Sequence, residues 1–384
     1  MKNYLFLVLL FLLSSCNDSN LEYELDNSEN LQNNTEVDDF AVSEEIATII
    51  SNNYMEMNNV PITKSNISLK TVYDNNNEPA IYIINYNDEG FTIISADKRS
   101  YPILAYSDSN SFYNNDTIPI YVEKWIDNTT YSIETQRLDN SPQNSILKNI
   151  WDNYLGLNTK STVDGSYTMT YVLDVPALLS TTWNQSGTGY NDYMPLLSNG
   201  NNAYAGCVTV AVSQIMNYHE YPDIYDWSSM GTTGSDATAL LFADVADKLD
   251  ADYDTDGTSI TTEDVVGLVL DYGYSSSSYV DYSTSTLQYQ LKYKRPVIIR
   301  GGESGFLGYY KNGHAWVCDG GTVINYVSTE LEEPLVRSIM SYTTAHYHMN
   351  WGWGGVCNGF YSSGGFSNDY GDFNYKNKIV TIAR

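Results

Sequence analysis

Basic side chains are scarce in this chain. Across 384 residues, 19 Lys and Arg stand against 47 Asp and Glu, a net charge of −28. A nucleic-acid partner needs a basic footprint, so that class of function is excluded at the outset. Cysteine is scarcer still, with four in the chain. That is too few for a disulfide scaffold, and it makes the neighbourhood of each thiol worth examining. Only four histidines are present to act as bases. Long apolar runs are missing after the first residues, so nothing beyond the N-terminus predicts a membrane span. Tyrosine, in contrast, is abundant at 35, and nothing in the sequence assigns it a function.

The most informative stretch is GCVTVAVSQIMNYHEYP, residues 206–222. Val208, Ala211, Val212, Ile215 and His219 recur at helical spacing, and Pro222 marks a point past the helix end. Cys207 follows Gly206 and stands at the predicted N-terminus. There, unpaired backbone N–H groups and the positive end of the macrodipole favour thiolate over thiol. A buried cysteine in a core helix is the alternative.

The histidines decide between these two. His219 is twelve residues along the same helix, roughly 18 Å from the thiol by helical rise, and out of reach. His314 follows Gly313 in a strand-like run, GHAWVCDGG. His346 and His348 precede Asn350 in a second, HYHMNWGWGG. Thiol catalysis needs a nucleophile, an imidazole that shuttles the proton and a group that orients the ring. Cys207, His314 and Asn350 supply these in order, with His348 as the rival base.

These blocks, with TTWNQ at 181–185 upstream, resemble the signature segments of the streptopain family, bacterial cysteine peptidases of papain-like fold. IYIINYNDEGFTIISADKRSYPILAYS, 81–107, is similar to the family's propeptide hairpin. The resemblance implies an α+β fold: a papain-like catalytic domain, with a helix wall and an antiparallel barrel-like sheet, preceded by a small α+β inhibitory propeptide. It implies Gln185 as side-chain oxyanion donor beside the backbone N–H of Cys207. Trp351 and Trp353 are expected to shield a His–Asn hydrogen bond, with core packing as the plain alternative. It implies no cofactor and no metal. Peptides would be the substrates, and the propeptide an intramolecular inhibitor.

Residues 1–16, MKNYLFLVLLFLLSSC, carry a short apolar run ending in a segment that resembles a lipobox, with Cys16 as the lipidated residue. The expected organisation is a lipoprotein signal (1–16), an acidic disordered tether (17–40) and a propeptide (41–155). A processing linker (156–171) and the peptidase domain (172–384) follow. That places the protein outside the cytoplasm, held to a membrane by lipid alone or secreted after processing. The stretch 322–341 is expected to be an inserted hairpin or loop near the cleft. Asp252, Asp254, Asp256, Gly257 and Glu263 have the spacing of an EF-hand loop, but Ser259 stands where an apolar anchor is usual. Two other functions remain open at this stage: a non-enzymatic surface lipoprotein with a protease-like binding domain, and another thiol hydrolase such as a cell-wall amidase.

Overall fold

The computed structural model describes residues 39–384 except 62–66, 87–89, 114–117, 140, 158–166, 305–309, 333–335 and 367–374. The expected signal, most of the tether, three residues of the hairpin turn at 87–90 and most of the linker lie outside the described residues.

The N-terminal half begins with α1 (Glu44–Met57), capped by Ser43, whose Oγ accepts from the backbone N–H of Ile46 at 3.2 Å. Strands β1 (Ser68–Tyr73), β2 (Pro79–Asn85), β3 (Phe91–Ser95) and β4 (Ile103–Ser107) follow as an antiparallel meander. Strands β2 and β3 are apolar without alternation because both faces are covered. Tyr82, Ile84 and Ile94 face α1, whereas Ile81, Ile83 and Ile93 share a core with α2 (Ile120–Leu138). Helix α3 (Ser145–Tyr154) closes this half, with the Asn144 side chain accepting from Ile146 N at 2.8 Å.

Helix α2 is clamped at its C-terminal end by buried charge. Arg137 donates to Asp97 at 3.2 Å and to Asp74 at 3.0 Å, and Arg99 holds Asp97 through two further bonds of 2.9 and 2.7 Å. Burial pushes the Asp97 carboxyl up, but the hydrogen bonds from Arg99 and Arg137 outweigh it and leave it below the usual range.

The C-terminal half runs β5 (Tyr167–Val175), α4 (Cys207–His219), α5 (Asp236–Lys248), β6 (Asp252–Asp254), β7 (Gly257–Ser259) and α6 (Val265–Asp271). Then come β8 (Ser276–Asp281), α7 (Thr284–Lys292), β9 (Val297–Ser304), β10 (Tyr310–Glu332), β11 (Val336–Asn350), β12 (Gly359–Ser362) and β13 (Tyr375–Ala383). Successive residues of β9 again part company: Ile298 joins α4, α5 and α6, and Val297 and Ile299 join α7 and α2. Helix α4 is buried from Val208 to Met216 on every side, more fully than its predicted single apolar face.

One antiparallel sheet spans both halves, in the order β1-β2-β3-β4-β12-β11-β10-β9-β13-β8, with β5 paired to β10. The path has two ends and does not close into a barrel. The halves join where Phe360 and Tyr361 of β12 pair with Tyr106 and Ala105 of β4. The described residues of the 322–341 stretch are the paired far ends of β10 and β11, and none of them lines the cavity beside Cys207, so the expected place near the cleft is not met. The stretch's surroundings are α3, whose Ile146, Leu147 and Ile150 cluster with Tyr326, and β5, which pairs along it.

Candidate active site

Cys207 is the first residue of α4. Gly206 before it has φ +87°, and a Cβ there would come within 3.2 Å of the Thr258 side chain, so the turn into the helix requires glycine. The sulfur receives the backbone N–H of Ala315 at 3.4 Å. A cavity of about 660 Å³ opens beside it, lined among others by Cys207, Gly313, His314, Thr258, Glu263 and Arg300. Nucleophile candidate and base candidate therefore face one space. Burial pushes the Cys207 thiol up, against the pull of the backbone N–H groups of Ala315, Val208 and Cys207 itself. The lowered thiol pKa expected of a helix N-terminus is thus not met in this arrangement, because desolvation outweighs those groups.

His314 is 6 % exposed, and its Nε2 lies 3.1 Å from the carbonyl of Trp351. The Tyr121 ring of α2 stacks flat on the imidazole, with centroids 4.3 Å apart and planes 9° apart. Burial lowers the His314 pKa to about 4, with the Trp351 carbonyl pulling the other way. The imidazole is thus buried and held neutral under a tyrosine ring.

Asn350 is not bonded to His314. Val317 stands opposite it in the β10–β11 ladder. Its Oδ1 accepts from Gln214 Nε2 at 3.3 Å and from the Gly352 N–H at 3.2 Å, and its Nδ2 donates to the Thr181 carbonyl at 2.7 Å. Both acceptor positions of the carboxamide are taken, which is why the imidazole pairs with a backbone carbonyl instead. Trp351 is fully buried and supplies that carbonyl, while its indole N–H donates to Cys357 O at 3.0 Å. Trp353 packs against the same core, and its buried indole nitrogen has no hydrogen-bond partner among the described residues.

Gln185 is brought to the thiol's end of the helix: its carbonyl accepts from Ala205 N at 2.8 Å, two residues before Cys207. The same segment is tied to the 351–354 turn, where Gly354 N donates to Trp183 O at 3.1 Å. His348 lies elsewhere, its Nδ1 2.5 Å from the buried Asp319 carboxylate. The other Asp319 oxygen accepts from the backbone N–H groups of Leu178 and Leu179. That makes His348 a structural pin. Cys318 and Cys357 are buried free thiols.

The EF-hand spacing does not fold as a coordination loop. Asp252–Asp254 and Gly257–Ser259 pair as a tight hairpin, and among the described residues no three potential ligands gather around a metal-sized space. Two residues that take part in the site escape sequence reasoning. Gln214 carries a weak signal, a carboxamide seven residues after the cysteine on the same helical face. Tyr121 carries none.

Residues 40–133 match the Spi protease inhibitor family, and residues 183–227 and 223–361 match the Peptidase C10 family. Streptopain of Streptococcus pyogenes serotype M1 is 28% identical over 369 residues, covering 79% of this chain and 80% of that protein. The thiol protease/hemagglutinin PrtT of Porphyromonas gingivalis is 27% identical over 220 residues, covering 46% of this chain and 22% of that protein. Among solved structures, a fragment of prointerpain A from Prevotella intermedia superposes with a TM-score of 0.54 at 21% identity, covering 82% of this chain and 98% of that one. At that identity the likeness concerns the fold, a papain-like domain preceded by a propeptide.

Proposed function

The chain is a cysteine peptidase of the Peptidase C10 family carrying its own inhibitor-like propeptide, and from that premise we propose an exported endopeptidase precursor that works through Cys207 and is held silent by Tyr121. The observation that carries the reading is the flat stack of Tyr121 on His314 beside the thiol's cavity. A side chain from the N-terminal half covers His314, which shares a cavity with the cysteine.

Once α2 withdraws, the imidazole regains water and its basicity. With Nε2 engaged on Trp351, Nδ1 is the ring atom left to take the thiol proton. The thiolate then attacks the peptide carbonyl. The oxyanion is held by the Cys207 N–H and the Gln185 side chain. The imidazolium returns its proton to the leaving amine, and water releases the acyl group by the same route in reverse. Asn350 supports the ring through the Trp351–Gly352 peptide and not by direct contact. The domain limits above, lipidation at Cys16, export and a cut near Lys160 and Ser161 belong to the same proposal. The family matches favour neither a protease-like binding module nor a cell-wall amidase.

The test is labelling with an epoxide that alkylates activated thiols, followed by peptide mapping, in parallel with casein hydrolysis. The full chain in reducing buffer should convert to a fragment beginning between Gly156 and Val172, label at Cys207 and hydrolyse casein. The Cys207→Ala chain should do none of these. Casein hydrolysis by Cys207→Ala would refute the assignment.

A further inference from the structure

Gln214 lies on the face of α4 that carries Cys207, two turns further along, and is 1 % exposed. Its carboxamide is satisfied on both sides. Oε1 accepts from Thr181 Oγ1 at 3.0 Å and from Trp183 N at 3.4 Å, and Nε2 donates to Asn350 Oδ1 at 3.3 Å. Asn350 closes the ring by donating to Thr181 O. This fixes which way the Asn350 amide points, because a flip would set two N–H groups against Gly352 N–H and Gln214 Nε2–H.

The consequence reaches the base through one peptide bond. The N–H of Gly352 donates to Asn350 Oδ1, and the carbonyl of that same peptide, Trp351 O, faces His314 Nε2. Gly352 has φ +72°, and a Cβ there would approach Val210 Cγ1 to 3.2 Å, so this peptide sits directly against the nucleophile's helix. A hydrogen bond at the N–H end of a peptide strengthens its carbonyl as an acceptor. We infer that Gln214 is a positioning residue for the peptidase reaction, orienting the His314 imidazole through Asn350 and the Trp351–Gly352 peptide. The inference rests on the peptidase reading for its kinetic consequence, but its geometric claim can be tested without turnover.

Two near-isosteric variants separate orientation from packing. Gln214→Met removes every hydrogen bond. Gln214→Glu keeps acceptors for Thr181 and Trp183 and, when ionised, sets a carboxylate oxygen against Asn350 Oδ1 in place of the Nε2 donor. In the full chain activated in reducing buffer, both should lower kcat, by up to about 10²-fold as expected for a displaced catalytic group, with KM within a few-fold. The acid limb of kcat/KM should move to lower pH in Gln214→Met, because the Trp351 carbonyl raises the imidazole pKa and this variant loosens that contact. In the Cys207→Ala full chain with ¹⁵N-labelled histidine, the His314 Nε2–H signal should exchange faster with water in either variant. Wild-type kcat in Gln214→Met would overturn the proposal, since the bonds to Thr181, Trp183 and Asn350 would then all be dispensable. An unchanged imidazole signal in both variants would overturn it as well, whatever the activity. A chain that never cleaves peptides, but whose imidazole signal still responds to Gln214, would sink the peptidase assignment and leave this one standing.

Discussion

Truncating Tyr121 to alanine isolates the contact proposed to hold the site silent. The ring is 7 % exposed and stacks on His314 and, at 5.7 Å, on Trp316, both on β10. Removing a buried aromatic side chain costs about 3–5 kcal/mol. Taking about 3 kcal/mol as the share lost from docking of α2, the population with the helix withdrawn rises on the order of 100-fold. The rate of Cys207 alkylation in the intact chain reports that population when opening and closing outrun the chemistry. Cys318 and Cys357 are buried and should contribute little background. Alkylation of Cys207, followed by peptide mapping in brief pulses after removal of reductant, should therefore accelerate up to about 100-fold in Tyr121→Ala. Tyr121→Phe, which keeps the stacked ring, should stay near wild type. A Tyr121→Ala chain alkylated at the wild-type rate would show that this ring does not restrain the site.

Other outcomes follow from the same geometry. His314→Ala should abolish hydrolysis, whereas His348→Ala should retain most of it and lower the melting temperature, because the buried Asp319 carboxylate loses its partner; the reverse pattern would reassign the base. Gln185→Ala should lower kcat by about 10²-fold, typical of one lost oxyanion donor, and unchanged turnover would remove it from that role. His314 and His346 are both held neutral by burial, at about 4 against an ordinary 6.5. The unfolded chain then binds more protons between those values, so their contribution lowers stability as pH falls from 6.5 to 4 and is constant below. Thermal melts of the Cys207→Ala full chain should show that slope, and His346→Gln should make it shallower, with His314 and His219 still contributing; a midpoint constant from pH 7 to 4.5 would contradict it.

What the sequence disclosed was local. A glycine, a thiol and an apolar period of 3.6 were enough to place Cys207 at the head of α4, and the alternating run around Gly313 and His314 was enough for a strand. Helix α3 is marked only faintly, by a cap at Asn144 and an apolar stripe of Ile146, Leu147, Ile150 and Trp151. Its shortness and the polar residues around it hid the signal. Where prediction and structure part is at Asn350. Residue types alone suggest an imidazole–carboxamide pair, but the partner of His314 is a backbone carbonyl, and every residue has one of those. The stack of Tyr121 on His314 joins positions 193 apart in sequence, and no local pattern encodes such a meeting.

The pairing of β4 with β12 bears on what the protein becomes after processing. While the N-terminal half is in place, β12 is an interior strand. Its loss would leave Gly359–Ser362 as a new sheet margin, with the N–H and C=O groups that met Ala105 and Tyr106 turned to solvent. Open margins of this kind recruit other strands and seed aggregates, and proteins limit the hazard by keeping them short. At four residues β12 is short enough to be a poor template. Its brevity would let the enzyme shed four of its sheet's eleven strands and stay dispersed.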